Sequence, residues 1–305
     1  MHHLSALLMI TCFASIGSIS SAQNTQAPKK LPGGLVYVWG DEFNGKTLDT
    51  KKWQPELGVI RNQGSQQTYT DKTKNLRIEK GCLILETHFE KCKNSNYKKN
   101  GLGWTQTTEY MPYTSASVNS INTKTFLFGR LEVRAKVPKT KGIWPAIWLL
   151  GKNSWGWPAN GEIDMLENIS QQPDTVYATF HMSPNGVSRK DKSMGGTVKI
   201  PNLSQEFHTY IMEWDKNTIR LLIDDKEVKS IKLADTNYPN GGNPFLTPFY
   251  IIINSAVGGS WCEKAPLDGT GFPVKFEIDY VRLYQTKEQF EDNKKINPKT
   301  GKLKK

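Results

Sequence analysis

The chain has 305 residues, a formal net charge of +11 and 37% hydrophobic residues. This length suits one large domain or two small ones. No segment is long and apolar enough to be a membrane span, and no basic, aromatic-rich module of the kind that binds nucleic acid is present.

Residues 1–22 resemble a secretory signal peptide. A weak amino-terminal region precedes the apolar stretch 4–16, and Ser20, Ser21 and Ala22 provide small residues for cleavage. Cys12 is a poor lipoprotein acceptor, because Met9-Ile10-Thr11 before it does not match a lipoprotein signal. We therefore predict a protein that is secreted or periplasmic and not lipidated. Residues 23–30 are polar and predict a flexible lead-in.

Short strands with turn signals between them follow from residue 35. Leu35 to Trp39 reads as a strand, residues 75–78 and 81–87 as two strands around a Glu79-Lys80-Gly81 turn, and residues 90–112 as a long, lysine-rich surface loop. Strands recur every 8–15 residues to residue 284, without a long amphipathic helix. This spacing predicts an all-β protein, and specifically a β-sandwich.

Residues 129–137 alternate strictly between apolar and charged side chains. Leu131 and Val133 lie on one predicted face, and Glu132 and Arg134 on the other. The charged face is either solvated or part of a binding cleft.

Four of the nine tryptophans lie between residues 144 and 157. Trp144 and Trp148 share a face with Ala146 on a predicted strand; Trp155 and Trp157 follow in a loop. Exposed tryptophans next to acidic residues are typical of platforms on which sugar rings stack. Packing in the core is the alternative for each of them.

The segment Gly161-Glu-Ile-Asp-Met-Leu-Glu167 places three carboxylates in an otherwise apolar strand. Alternation brings Glu162 and Asp164 to one face, but Glu167 falls on the opposite face. One bulge residue, at Met165 or Leu166, would return Glu167 to the face of the other two. The alternative is a set of surface acids on an edge strand.

Two further segments complete the chain. Residues 175–182 alternate again and place His181 on a polar face, as a cleft residue or as a structural histidine. Residues 287–305 contain seven lysines and predict a basic tail, which is a solvated terminus or a contact for an acidic partner.

The motif from Trp144 to Leu150, together with Trp157-Pro-Ala-Asn-Gly-Glu-Ile-Asp-Met-Leu-Glu167, resembles the signature of glycoside hydrolase family 16. It is most similar to the laminarinase-like branch, the endo-β-1,3-glucanases, in which two residues separate Asp164 from Glu167. Residues 256–261 and 276–284 also resemble family segments. The resemblance covers residues 31–286 as one catalytic domain. It implies a jelly-roll, concanavalin A-like sandwich of two curved antiparallel sheets with a concave substrate cleft.

The resemblance also implies the roles of the site residues. Glu162 would be the nucleophile, Glu167 the acid/base, and Asp164 would tune their ionisation in a retaining mechanism. The residues implied to bind sugar are Arg134, Trp144, Trp148, Trp157, His181 and Trp261. The implied substrate is a β-1,3-glucan or mixed-linkage β-glucan. A red-algal galactan, or a non-catalytic glucan-binding lectin, is the alternative.

No cofactor is expected for the chemistry. Family members often carry a structural calcium ion, and Glu42, Gly81 and Asp279 lie in the segments that resemble its site. The cysteines of the mature chain are Cys82, Cys92 and Cys262, so one disulfide at most is possible, with Cys82–Cys92 as the short-loop candidate. We expect a polysaccharide-binding monomer without nucleic-acid partners.

Overall fold

The computed structural model describes residues 26–187 and 189–295. The predicted signal peptide, with Cys12, and the end of the basic tail lie outside the described residues. None of the helices in the part that is described has the length and apolarity to cross a bilayer.

The predicted all-β fold is confirmed. Within the described residues, eighteen strands and two short α-helices follow one another: β1 (Lys30–Leu31), β2 (Leu35–Asp41), β3 (Gln54–Pro55), β4 (Gln67–Tyr69), β5 (Leu76–Glu79), β6 (Cys82–Lys93), α1 (Trp104–Thr107), β7 (Tyr110–Ser115), β8 (Ser117–Asn119), β9 (Gly129–Lys136), β10 (Ile143–Gly151), β11 (Glu162–Glu167), β12 (Thr175–Met182), β13 (Lys192–Lys199), β14 (His208–Trp214), β15 (Thr218–Ile223), β16 (Lys226–Lys232), β17 (Phe249–Val257), β18 (Val274–Gln285) and α2 (Lys287–Lys294). Short 3₁₀ turns occupy Pro32–Gly34, Leu233–Thr236 and Pro244–Leu246.

Two sheets face each other. The larger sheet has eleven strands with β16-β15-β14-β9-β18-β6-β7-β4 as its main path, and the smaller has seven in the order β13-β12-β11-β10-β17-β8-β3. The pairs are antiparallel, as predicted, with the exception of β4 and β7, which run parallel. In the smaller sheet β10 to β13 pair in chain order, so the catalytic candidates on β11 lie on an interior strand between β10 and β12.

The core fills the space between the sheets. Leu131 and Val133 contribute from the larger sheet, and Ile147, Leu149 and Ile163 from the smaller; all five are fully buried. Leu131 and Val133 belong to the apolar face that the alternation of residues 129–137 predicted. The opposite face of the smaller sheet is left to carry polar and aromatic side chains.

Three local predictions need correction. The segment 90–112 is not one loop, because β6 continues to Lys93, α1 follows, and β7 begins at Tyr110. The predicted basic tail begins with α2, which a capping box between Thr286 and Gln289 stabilises. Residues 26–30 of the lead-in end inside β1 at Lys30.

The disulfide candidate is also wrong. Cys82 and Cys92 are free thiols at the two ends of the single strand β6. Ten strand steps separate their Cα atoms by about 33 Å, which a disulfide cannot bridge. Cys262 is a buried free thiol as well.

Candidate active site

The three acids of β11 are brought together by a bulge. On β10, Asp164 pairs with Trp148 and Leu166 pairs with Ile147, so Met165 has no partner position of its own. The register with β12 slips at the same place, between Asp164 and Glu167. The predicted bulge residue is therefore confirmed as Met165. Met165 and Leu166 both point into the core, at 1% and 0% exposure.

As a result, the acids occupy successive positions on the outer face of the smaller sheet. Glu162, Asp164 and Glu167 lie opposite Leu150, Trp148 and Ala146 of β10. On the other side they lie opposite His181, Thr179 and Tyr177 of β12. Three parallel rows of side chains cross the sheet, and each row contains one acid.

A cleft of about 520 Å³ opens over these rows. Its walls combine acids, indoles and a polar loop that precedes β4. The lining residues are Arg61, Asn62, Gln63, Trp144, Ala146, Trp148, Leu150, Trp157, Glu162, Asp164, Glu167 and Asn254. A groove with a polar centre and aromatic walls fits a carbohydrate chain.

Glu162 is held by a tryptophan. The indole Nε1–H of Trp157 donates to Glu162 Oε2 at 2.9 Å. Burial raises the pKa of Glu162 well above its ordinary value; the charges of Asp164 and Glu167 raise it further, while His181 and the indole N–H lower it. Glu162 thus has a donor that stabilises its ionised form.

Glu167 has a matching arrangement. The indole Nε1–H of Trp144 donates to Glu167 Oε1 at 3.1 Å. Burial, followed by the charge of Asp164, raises the pKa of Glu167 to about 8. This carboxyl group is therefore protonated at neutral pH, as a general acid must be.

Asp164 is the most deeply buried of the three, at 2% exposure. Burial raises the pKa of Asp164 well above its ordinary value, and the charge of Asp191 adds to the increase. Its Oδ2 lies 3.3 Å from His181 Nε2, although the contact lacks the alignment of a hydrogen bond. One carboxylate oxygen of Glu162, one of Asp164 and one ring nitrogen of His181 all lie within 4.8 Å of one another. Carboxyl groups this close cannot all ionise together, so their protons are lost in coupled steps.

Aromatic side chains stand on both sides of the acids. Trp157 is 50% exposed on the Glu162 side, with its ring 6.5 Å from that of His181. On the Glu167 side, Trp261 is 39% exposed and packs edge-on against Trp144 and Tyr177. These rings provide stacking surfaces at both ends of the catalytic centre.

Trp148 has a different position from that of the exposed indoles. It is 9% exposed, donates its indole N–H to Asn254 Oδ1 at 2.7 Å, and lies beneath the guanidinium of Arg61. It forms the floor of the cleft. His181 reaches the centre as predicted, through Asp164.

The prediction for Arg134 is wrong. Arg134 lies on β9 of the larger sheet, is 7% exposed, and pairs with Asp279 at 2.5 Å. Its guanidinium also packs on Phe207. Alternation identified its polar face correctly, but that face belongs to the sheet that does not carry the acids.

The arginine that lines the cleft is Arg61. Its guanidinium makes two hydrogen bonds to Glu56, at 2.7 and 2.6 Å, and a third to Ser117 at 3.0 Å. The following polar loop, residues 62–70, resembles a rim loop of the family's cleft, but the resemblance did not select Arg61. No periodic pattern surrounds it, so the sequence contained no signal that distinguishes it from other loop arginines.

Two of the three residues suggested for calcium have arginine partners in this structure. Glu42 accepts two hydrogen bonds from Arg282, at 2.9 and 2.8 Å, and Asp279 is paired with Arg134. Calcium takes backbone carbonyl as well as carboxylate oxygens, so it would share Glu42 and Asp279 with these arginines, and the calcium site stays a prediction. Gly81 lies in the tight turn before β6, with φ of +77°.

Comparisons with known proteins agree with the site. The model of the family "Glycosyl hydrolases family 16" matches residues 58–282. A β-glucanase from Rhodothermus marinus is 34% identical over 262 residues, which cover 81% of this chain and 84% of the relative. Glucan endo-1,3-beta-glucosidase A1 from Niallia circulans is 33% identical over 270 residues, 83% of this chain, and this chain spans only 38% of its length.

Two solved structures extend the comparison. One, described under "Prominent members of the human gut microbiota express endo-acting O-glycanases to initiate mucin breakdown", is 72% identical, with a TM-score of 0.87 over 90% of this chain and 99% of that one. The laminarinase catalytic domain from Thermotoga maritima is 31% identical, with a TM-score of 0.70 over 82% and 98%. The protein is thus a glycosidase that belongs to glycosyl hydrolase family 16.

Proposed function

We propose that the protein is an endo-acting, retaining glycosidase that works by double displacement. The observation that carries the proposal is the placement of Glu162 and Glu167 on one cleft face, each with an indole donor. Four strand steps on β10, from Leu150 to Ala146, separate their positions by about 13 Å at the Cα atoms. Side chains of this length that lean together can approach the separation of about 5–5.5 Å that retention requires.

The first half-reaction uses both glutamates. Glu167 donates its proton to the glycosidic oxygen while the Glu162 carboxylate attacks the anomeric carbon. The glycosidic bond breaks, the leaving sugar departs as an alcohol, and an ester to Glu162 forms. Burial keeps Glu167 protonated until the leaving group needs the proton, while His181 and the indole N–H of Trp157 oppose the effect of burial on the pKa of Glu162.

The second half-reaction restores the enzyme. The Glu167 carboxylate takes a proton from water, and the water oxygen attacks the anomeric carbon and displaces Glu162. The product keeps the anomeric configuration of the substrate, because the carbon is inverted twice. Asp164 lies between the two glutamates and, when ionised, raises the basicity of Glu167 for this step.

Endo action is supported by the aromatic rings on both sides of the acids. Trp157 can stack a sugar on the Glu162 side, and Trp261 can stack one on the Glu167 side. A chain that binds across the whole centre is cleaved internally.

We propose O-glycans of the mucin type as the preferred substrate. The main support is the structure that shares 72% identity and comes from work on endo-acting O-glycanases. The relatives named as glucanases are far less similar, at 33–34% identity.

The shape of the cleft agrees with a substituted glycan. On one side, Asn254 is 3% exposed and donates to the Tyr69 hydroxyl at 3.3 Å, so β4 lies against that wall. On the other side, Ser193, Gly195 and Thr197 of β13 are small and exposed. A branch on a bound sugar can extend over this open edge.

Hydrolysis of β-1,3(4)-glucan is the second candidate function. It is favoured by the names of the relatives at 33–34% identity and by the laminarinase fold neighbour. A red-algal galactan as the substrate, and a lectin that binds glycans without cleaving them, are two further alternatives.

A product assay separates these candidates. The protein is incubated with mucin O-glycans, laminarin, lichenan and agarose, with the Glu162→Gln variant as the control for contaminating activity. We expect internal cleavage of O-glycans at a rate at least tenfold above that on laminarin. Faster release from laminarin would favour the glucanase, and binding without release from any polymer would favour the lectin. NMR of the first product should show retained configuration.

The hydrogen bond from Trp157 to Glu162 has a measurable consequence. The indole N–H of Trp157 lowers the pKa of Glu162. Trp157→Phe keeps a stacking ring but removes this donor. The acidic limb of kcat/KM should move to higher pH, by about 0.5–1 unit for one lost hydrogen bond of about 1 kcal/mol. Trp155→Phe, which changes an indole outside the cleft lining, is the matched control. An unchanged limb in Trp157→Phe would show that the indole only stacks.

A further inference from the structure

Side chains of the kind that bind transition metals meet at the Glu162 end of the cleft. Glu162, Asp164 and His181 each direct one oxygen or nitrogen atom to a common region, with all three atoms within 4.8 Å of one another. The group spans two neighbouring strands, since Glu162 of β11 pairs with His181 of β12. Within the described residues, it is the only group of three histidine, cysteine or acidic side chains that converge in this way.

The imidazole of His181 is held so that one nitrogen faces the acids. Its Nδ1 lies 2.7 Å from Oδ2 of Asp191, which immediately precedes β13. An ionised carboxylate only accepts, so Nδ1 carries the hydrogen of this bond. In the neutral ring Nε2 is then an acceptor, and it lies 3.3 Å from Asp164 Oδ2. A carboxylate behind the ring is the contact that fixes the orientation of most metal-binding histidines.

Asp164 contributes an oxygen without a donor. Its side chain is 2% exposed, and Oδ2 is buried and accepts no hydrogen bond from any residue that the structure describes. A buried acceptor without a partner costs free energy. A cation between Oδ2 and the Nε2 lone pair of His181 would supply the missing partner to both atoms.

The distances suit a small cation with tetrahedral coordination. Zinc–nitrogen and zinc–oxygen bonds of about 2.0–2.2 Å place neighbouring ligand atoms about 3.3–3.5 Å apart. The separation between Asp164 and His181 is already 3.3 Å. Glu162 has the longer and more flexible side chain, and it would have to approach by at most about 1.4 Å to complete the set.

We propose that Glu162, Asp164 and His181 form an inhibitory site for a divalent transition cation of the zinc type. One imidazole nitrogen with two carboxylate oxygens favours such cations over magnesium and calcium, which prefer oxygen ligands alone. The cation replaces the protons that the two carboxyl groups carry. It has no part in hydrolysis, for which the two glutamates suffice.

Inhibition follows from the position of Glu162 in the set. This consequence rests on the proposed role of Glu162 as the nucleophile, whereas binding of the cation does not. A carboxylate that is coordinated to a metal has lost the lone pair with which it attacks, and the cation occupies the space in which the anomeric carbon would lie. Substrate and cation should therefore exclude each other.

Binding is measured first, without substrate, by calorimetric titration of the full chain with zinc chloride. We expect one site that disappears in His181→Gln. Asp191→Ala, which releases the ring, should weaken the affinity by about 10–100-fold. His88→Gln is the matched control, because His88 also lies beside a carboxylate, 3.3 Å from Glu86, but on the larger sheet. Cys92→Ser tests the partly exposed thiol. Both controls should bind zinc as the wild type does.

Inhibition is measured next, with the wild-type protein and its preferred glycan. At a zinc concentration ten times the dissociation constant, the apparent KM should rise about elevenfold with kcat unchanged. Calcium and magnesium at the same concentration should leave KM as it was, and a chelator should restore it.

Each outcome decides the proposal. No zinc site in the wild type, or equal affinity in His181→Gln, would overturn it, and zinc that binds through His181 without raising KM would overturn the inhibitory role. If His181→Gln does not fold, undiminished affinity in Asp191→Ala would count against the site equally. Since the titration needs no substrate, failure of this inference is distinguishable from failure of the proposed glycosidase function.

Discussion

Glu162→Gln should reduce kcat on the preferred glycan by about 10⁴-fold or more, as expected when the nucleophile of a covalent mechanism is removed. Glutamine has the same size and still fits beside Trp157, so substrate binding and the melting temperature should change little. Steady-state kinetics and a binding assay with the same oligosaccharide would measure the two effects separately. Glu206→Gln, at an exposed position before β14, is the matched control.

A chemical rescue makes this result specific to the covalent route. Glu162→Gly leaves space in which azide can attack the anomeric carbon directly. The product should be a glycosyl azide with the anomeric configuration opposite to that of the substrate, because only one inversion occurs. Near-normal turnover by Glu162→Gln, or no azide adduct together with an inverted wild-type product, would exclude Glu162 as the nucleophile.

Glu167→Gln should remove the general acid, with an effect that depends on the leaving group. On a natural glycan we expect kcat to fall by about 10²–10⁴-fold. On an aryl glycoside whose leaving group needs no proton, formation of the ester should be nearly normal and its hydrolysis slow. A burst of the released phenol followed by a slow steady phase would show this.

The pH dependence gives a second test of Glu167. Its pKa is raised to about 8 by burial and Asp164, and the acid must be protonated, so wild-type activity should fall as pH rises through about 8. In Glu167→Gln this basic limb should disappear for the aryl substrate. A basic limb that survives in the variant would assign it to another group.

The central motif was predictable because the parity of a β-strand is strict. Three acids cannot share a face in Glu162-Ile-Asp-Met-Leu-Glu167 unless one residue is extra, and apolar neighbours show which face is the core. The sequence alone predicted the bulge as Met165 or Leu166. The register with β10 decides between them.

Arg134 shows the limit of the same reasoning. Alternation assigns a residue to a face of its own strand but not to one sheet of a sandwich. Strand β9 pairs with β14 and β18 in the larger sheet, so its polar face is turned away from the acids. Arg61 reaches the cleft from an irregular loop, in which side chains do not alternate between two faces as they do in a strand.

The contacts of Asp191 and of the suggested calcium residues are not marked by any local motif. Asp191 contacts His181 because β12 and β13 form a hairpin around an irregular connection, and no motif marks that position. For calcium, resemblance selected the acids Glu42 and Asp279, but the arginines that neutralise them come from other strands. Ligand sets of this kind become visible only once the strands are paired.

The extra residue in β11 serves two purposes at once. By adding a step to one strand, Met165 restores the spacing of the acids on the cleft side, and its own side chain, together with that of Leu166, fills the interior beneath them. The site and the hydrophobic interior therefore share a residue. A substitution at Met165 therefore alters the packing directly beneath Glu162 and Glu167, the proposed nucleophile and acid/base.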